Sequence, residues 1–232
     1  MSLEVALAVF EFVVLLLAIS LHDSVQAWMA ARLGDPTAKM MGRISLNPLR
    51  HYDLLGTVIF PIVFLFQSPL VLAWGKPVPM TPRNFRRGSK DEMLVFLSGP
   101  LAHLGAAGVF LVLLLVLKHV VPMVAMSLPA AAALSLRSPE VSTEFLPPIF
   151  PIVLFFYYGI LVNLLLFAFN LVPLPSLDGG RVLRHFLPYN AMQQYDRWGF
   201  YLTILFFFFG FRVILLIMTP LLNIFNGLLS VL

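Results

Sequence analysis

The sequence has no cysteine. Disulfides and thiolate metal sites are thereby excluded, so any metal must be held by His, carboxylate or carbonyl groups. Charge is scarce as well. Asp, Glu, Lys and Arg make up 11% of the chain, against about 25% in an ordinary soluble domain. So few charges cannot cover a water-facing surface, and a soluble globular domain is not expected. Solvating, weakly hydrophobic segments are also missing, which argues against disorder. The first 30 residues lack a basic leader and a small-residue cleavage site. The apolar stretch Leu3 to Leu21 is therefore expected to stay as a helix.

What is abundant is apolar. Hydrophobic residues make up 60% of the 232, including 22 Phe, and mean hydropathy is +0.93. Several runs are long enough to cross a bilayer as helices. The expected class is all-α: a polytopic integral membrane protein of five to six membrane segments, folded as one domain over residues 1–232. The net charge of +4 is not a nucleic-acid signal here, and no nucleic-acid partner is expected. In a lipid-embedded chain the placement of basic residues matters more than their sum. Nine of the 15 Lys and Arg residues fall between Arg32 and Lys90. The positive-inside rule puts this stretch, including segments 34–53 and 75–92, on the cytoplasmic side.

Four spans are expected: Leu3 to about Leu33, Met93 to Val121, Phe150 to Val172 and Trp198 to Thr219. The tail Pro220 to Leu232 is expected to turn back into the membrane. Pro122 to Pro148, rich in proline and poor in basic residues, reads as an outside loop. The apolar stretch 54–74 has basic flanks on both sides and is interrupted by Gly56, Pro61 and Pro69. It is expected to be re-entrant or interfacial, with a full span as the alternative.

Ionisable groups inside membrane helices are costly and point by default to function. His22 precedes Arg32 by ten residues, roughly 15 Å along a helix, which places it within the bilayer. His22 and Gln26 share a helical face one turn apart, and Asp23 is offset by about 100°. A packing role near a helix end is the competing reading of this stretch. A second polar cluster follows the third span. Asn163 and Asn170 share a face. Pro173 and Pro175 then break the helix, and Gly179-Gly180 permits a tight turn after Asp178. A solvated Asp in a Pro-Gly loop is the alternative there.

Taken in order, the motifs carry a resemblance. They are Leu33-Gly34-Asp35-Pro36-Thr37-Ala38-Lys39, Gly42-Arg43-Ile44-Ser45-Leu46-Asn47-Pro48-Leu49, His51-Tyr52-Asp53, Gly56-Thr57, Pro61 and Ala73-Trp74-Gly75-Lys76-Pro77-Val78-Pro79. Gly99-Pro100 and Phe169-Asn170-Leu171-Val172-Pro173-Leu174-Pro175-Ser176-Leu177-Asp178-Gly179 follow. The chain resembles the site-2 protease family, zinc metalloproteases that cut within the membrane, and in particular its small members without an inserted recognition domain. The resemblance implies a helical core, a bacterial inner membrane and a membrane-spanning protein substrate. It carries His22 and Asp178 over as zinc ligands and Asn170 as the polar group beside the reacting carbonyl.

The first motif departs from the family. Its H-E-x-x-H reads H-D-x-x-Q here. Asp23 stands in place of the Glu that activates the metal-bound water, and Gln26 in place of the second His. Asp loses about 1.5 Å of reach, and Gln offers only a neutral amide oxygen. His103 is the candidate replacement ligand, with a hydrogen-bonded interhelical role as its alternative. A zinc site would therefore draw on His22, Asp178, Gln26 and His103, with Asp23 as base. Two functions follow from the resemblance: intramembrane proteolysis, or non-catalytic binding of membrane segments as a scaffold or regulator. His51, His119 and His185 are expected at the interface, unconnected to the site.

Overall fold

The structure is a computed structural model, and it describes residues 3–68, 70–138 and 146–232. Among these residues there are helices and no strands. The order is α1 (Leu3–Leu33), α2 (Thr37–Met40), α3 (Phe60–Phe64), α4 (Ser89–Val120), α5 (Pro122–Ser135), α6 (Phe150–Leu171), α7 (Asp178–Arg184), α8 (Tyr189–Phe209) and α9 (Phe211–Val231). Four of them, α1, α4, α6 and α9, are long and apolar enough to cross a membrane. Each has an apolar stretch with at most two charges, so its backbone is bonded internally and its side chains suit lipid or other helices.

The interior is built around α6. Of its most apolar stretch 83% is buried, against 17% for α9. Helix α6 is therefore the central post, while α9 presents most of its surface outward. Helices α1 and α4 pack against α6 and against each other. Leu15, Ala107, Leu114, Leu161 and Leu165 fill the seam.

Three expectations about the chain path require correction. Pro122 to Pro148 is not a loop throughout, because Pro122–Ser135 forms α5. Pro122 occupies the first turn, where its missing N–H costs nothing. Val124, Leu128, Ala131 and Leu134 are buried, and that burial outweighs the Pro129 inside the helix. Glu140 and Glu144, also assigned to that loop, lie outside the described residues. The expected span Trp198 to Thr219 is broken at Gly210, and its two halves belong to α8 and α9. The tail from Pro220 does not turn back. Helix α9 runs through Pro220 to Val231, because leaving the helix in apolar surroundings would strand backbone polar groups.

Segment 54–74 has a distinct path. Asp53 caps its start by accepting from Leu55 N (3.0 Å) and Gly56 N (2.8 Å). A wide helical turn, Leu54–Ile59, leads into α3. These eleven residues reach about 16 Å, short of the ~30 Å of a bilayer core. The chain then returns to its starting point. Trp74 N donates to Gly56 O (3.3 Å) and Thr57 Oγ1 donates to Trp74 O (2.8 Å).

Beyond α1, Asp35 ties two surface segments together. Its buried carboxylate accepts from Thr37 N (3.1 Å), Thr81 N (2.7 Å) and Asn84 Nδ2 (2.9 Å). Burial alone would raise its pKa. The donors, Thr37 first among them, outweigh it and hold the carboxyl below its ordinary value.

Candidate functional site

Two interruptions of regular structure create the site. Helix α6 stops at Leu171, where Val172 turns extended ahead of Pro173 and Pro175. The chain restarts as α7 with Asp178 as its first residue. Gly180 makes this restart possible, since a Cβ there would lie 1.8 Å from Leu174 O. Helix α1 remains unbroken and carries His22, Asp23 and Gln26 past this point. Helix α4 comes close at Gly99, where a Cβ would meet His22 Nε2 at 2.3 Å and Gln26 Nε2 at 2.6 Å. A residue larger than glycine would push α4 off the site.

The structure brings the two sequence-distant clusters into contact. His22 Nε2 lies 2.8 Å from Asp178 Oδ2. Gln26 Nε2 donates to the same oxygen, also at 2.8 Å. His22 Nδ1 stands 3.1 Å from Asp23 Oδ1. Each nitrogen of the His22 ring thus faces a carboxylate, and all four residues are buried. They line a cavity of about 290 Å³ together with Ile19, Trp74, Asn170, Arg181, Thr203 and Phe206.

The remaining expected residues are placed as follows. His103 stacks on His22, with ring centroids 4.9 Å apart and planes 27° apart. Its Nδ1 is 3.0 Å from Asn163 Oδ1, and Asn163 Nδ2 donates back to Gly159 O (2.8 Å). Asn170 lines the cavity, but its amide nitrogen donates to Leu166 O (2.9 Å) on its own helix.

Two residues beside the site were not assigned to it from sequence. Arg43 Nη2 donates to Asp23 Oδ2 (3.0 Å) and to Lys76 O (2.6 Å), and Nη1 donates to Pro77 O (3.2 Å). The guanidinium therefore binds the carboxylate and the cavity wall at once. His51, expected at the interface, is 1% exposed, with Nδ1 3.3 Å from Asp23 Oδ2. Its Nε2 lies 2.6 Å from Ser45 O, an oxygen that Ser24 also donates to. Both residues sit in the ordered motifs quoted above, and that was the available signal. His119 and His185 stay apart from this network. The first faces Leu115 O and the second lies 3.8 Å from Glu92 Oε2.

A catalytic zinc ordinarily takes three His or carboxylate ligands and keeps a fourth position open. Among the described residues, no group of three His, Cys, Asp or Glu side chains is placed to hold a metal ion. Two groups of the right chemistry meet, His22 and Asp178, and the third neighbour is an amide. Asp23, next along α1, has one oxygen beside His22 and the other bound by Arg43. The residues present do not fit a catalytic zinc centre.

Comparison with known proteins gives a consistent frame. Residues 83–210 match the sequence pattern of Peptidase family M50. The protein named "Putative zinc metalloprotease YwhC" from Bacillus subtilis (strain 168) is 32% identical over 200 residues, covering 84% of this chain and 78% of that protein. No solved structure matches the chain. The match to the family pattern begins downstream of His22, Asp23 and Gln26.

Proposed function

Because the chain belongs to Peptidase family M50, we propose that it keeps the family's membrane cavity without a working metal centre, and binds a membrane-spanning protein segment there without cutting it. One observation carries this reading: His22 Nε2 and Gln26 Nε2 both converge on Asp178 Oδ2. That oxygen would be a metal ligand in an active relative, and here its partners come from the protein itself. The Arg43 guanidinium on Asp23 supports the reading further. A general base must reach its proton within about 3 Å, and this carboxylate is already bound on both sides.

In this reading Asn170, Thr203 and Arg181 supply the polar groups that an occupant meets. Trp74, Leu166, Phe169 and Phe206 supply the apolar walls. The protein resides in a bacterial inner membrane, with the basic stretch Arg32 to Lys90 and the cavity mouth toward the cytoplasm. Segment 54–74 is re-entrant in this topology, and the Trp74 contacts with Gly56 and Thr57 support that path.

The competing reading is proteolysis, favoured by the 2.8 Å approach of His22 to Asp178 within a cavity. Metal content of the purified protein separates the two, with wild type compared against His22→Ala and Asp178→Ala. The non-catalytic reading expects no stoichiometric zinc in any of them and no cleavage of a membrane-spanning reporter. Stoichiometric zinc in the wild type, lost in both variants, would overturn it. The double change Asp23→Glu with Gln26→His tests whether the cavity alone is competent. It is expected to gain zinc.

A further inference from the structure

A second ionisable group is buried in α1. Glu11 precedes His22 by eleven residues, roughly 16 Å along the axis, and is 1% exposed. Its two oxygens hold two separate parts of the chain. Oε1 accepts from Val71 N (3.2 Å) and Oε2 accepts from Arg137 Nη2 (3.0 Å). Val71 stands just before Ala73, Trp74 and Gly75, which wall the cavity. Glu11 therefore grips the same extended segment that Arg43 grips at Lys76 and Pro77.

Arg137 sits at the end of α5. Its φ is +55°, and it is the one non-glycine residue with positive φ among those described. Arg137 N donates to Leu134 O and Ser138 N to Ala133 O, each at 2.9 Å, the paired bonds by which a left-handed residue commonly ends a helix. Its buried Nε has no hydrogen-bond partner. Neither has the buried hydroxyl of Tyr158 on α6, which lies within electrostatic range of both Glu11 and Arg137. Glu11 thus joins Val71 to Arg137 while two buried donors, Arg137 Nε and the Tyr158 hydroxyl, go without a partner. Coupling between distant sites requires an element with two states.

We propose that the Glu11–Arg137 pair is a latch on the cavity wall. When closed it fixes Val71 and, through it, the Ala73–Gly75 wall. When Arg137 leaves, the wall loosens and the cavity becomes more accessible. The latch lies at the far end of α1 from the basic boundary, so an event there reaches the cavity through the backbone of one short segment.

The absence of cysteine makes the test direct. A single Ala73→Cys is placed in the full-length protein in lipid vesicles, and its rate of labelling by a small maleimide is measured. Arg137→Gln and Glu11→Gln are each expected to raise that rate by about tenfold, and the double variant no further, as for two members of one pair. Ser176→Cys, on the opposite wall, is expected to label at an unchanged rate. Should Glu11→Gln fail to fold, Arg137→Gln with hydrogen exchange at the Val71 amide carries the test, and faster exchange is expected. Unchanged Ala73→Cys labelling, unchanged exchange at Val71, or an equal rise at Ser176→Cys would each overturn the latch. The proposal rests on the binding reading only in treating the cavity as the docking site. Labelling needs neither zinc nor cleavage, so the two can fail separately.

Discussion

The two polar clusters on α1 differ in how many bonds tie them together. Around His22, Asp23 and Gln26 many groups hold one another, with Asp178, Arg43 and the carbonyls of Lys76 and Pro77 in the set, although Arg43 Nε and His51 Nδ1 make no hydrogen bond. Around Glu11, one carboxylate serves two donors while Arg137 Nε and the Tyr158 hydroxyl go without. A network of many bonds in a low-dielectric interior resists the loss of any one, whereas a single carboxylate with two donors has less to hold it. The contrast teaches that buried charge in one helix can join a many-membered network at one end and rest on two partners at the other.

This contrast can be broken by mutation. The largest effect is expected from Asp178→Ala, which takes the shared acceptor from His22 Nε2 and Gln26 Nε2. Removing one member of a buried pair costs about 3–5 kcal/mol, read as a loss of unfolding free energy in detergent. Arg43→Met should follow at about 3 kcal/mol, because it takes the guanidinium from Asp23 Oδ2 and frees the carbonyls of Lys76 and Pro77. Gly99→Ala should cost about 1–3 kcal/mol by overpacking, since its Cβ would meet His22 Nε2. Glu11→Gln should cost less, about 1–2 kcal/mol, because the amide oxygen still accepts from Val71. If Glu11→Gln proves as damaging as Asp178→Ala in the same assay, the two ends are equally rigid and the distinction fails.

The smallest effect lies outside both clusters and appears only with pH. The Asp35 carboxyl is held below its ordinary value by its donors. Its stabilisation is therefore full above the unfolded pKa of about 3.9 and is lost as pH falls through the lower folded value. Asp35→Asn should flatten the decline of the unfolding midpoint between about pH 5 and pH 2. An unchanged slope would remove Asp35 as the acid-sensitive tie.

The spans of α1, α4 and α6 were legible because each keeps a long apolar stretch despite the few polar residues inside it. The break at Gly210 was not, since a lone glycine between phenylalanines leaves the hydropathy unchanged. Helix α5 was hidden by its own prolines, which read as loop punctuation although one of them starts the helix. At the site, His22 and Asp178 could be named from their motifs, while the structure adds their 2.8 Å approach. Arg43 and His51 were missed as partners of Asp23 because their role is purely tertiary. An arginine in a basic loop has the same sequence signature whether it meets solvent or folds back onto a carboxylate.

Trp74 lies in the cavity wall, whereas Trp28 and Trp198 are 45% and 57% exposed. With those two replaced by Phe, a single indole would remain as the emitter. Its fluorescence would shift as a bound segment displaced the surrounding water, giving an optical titration of occupancy without any added label.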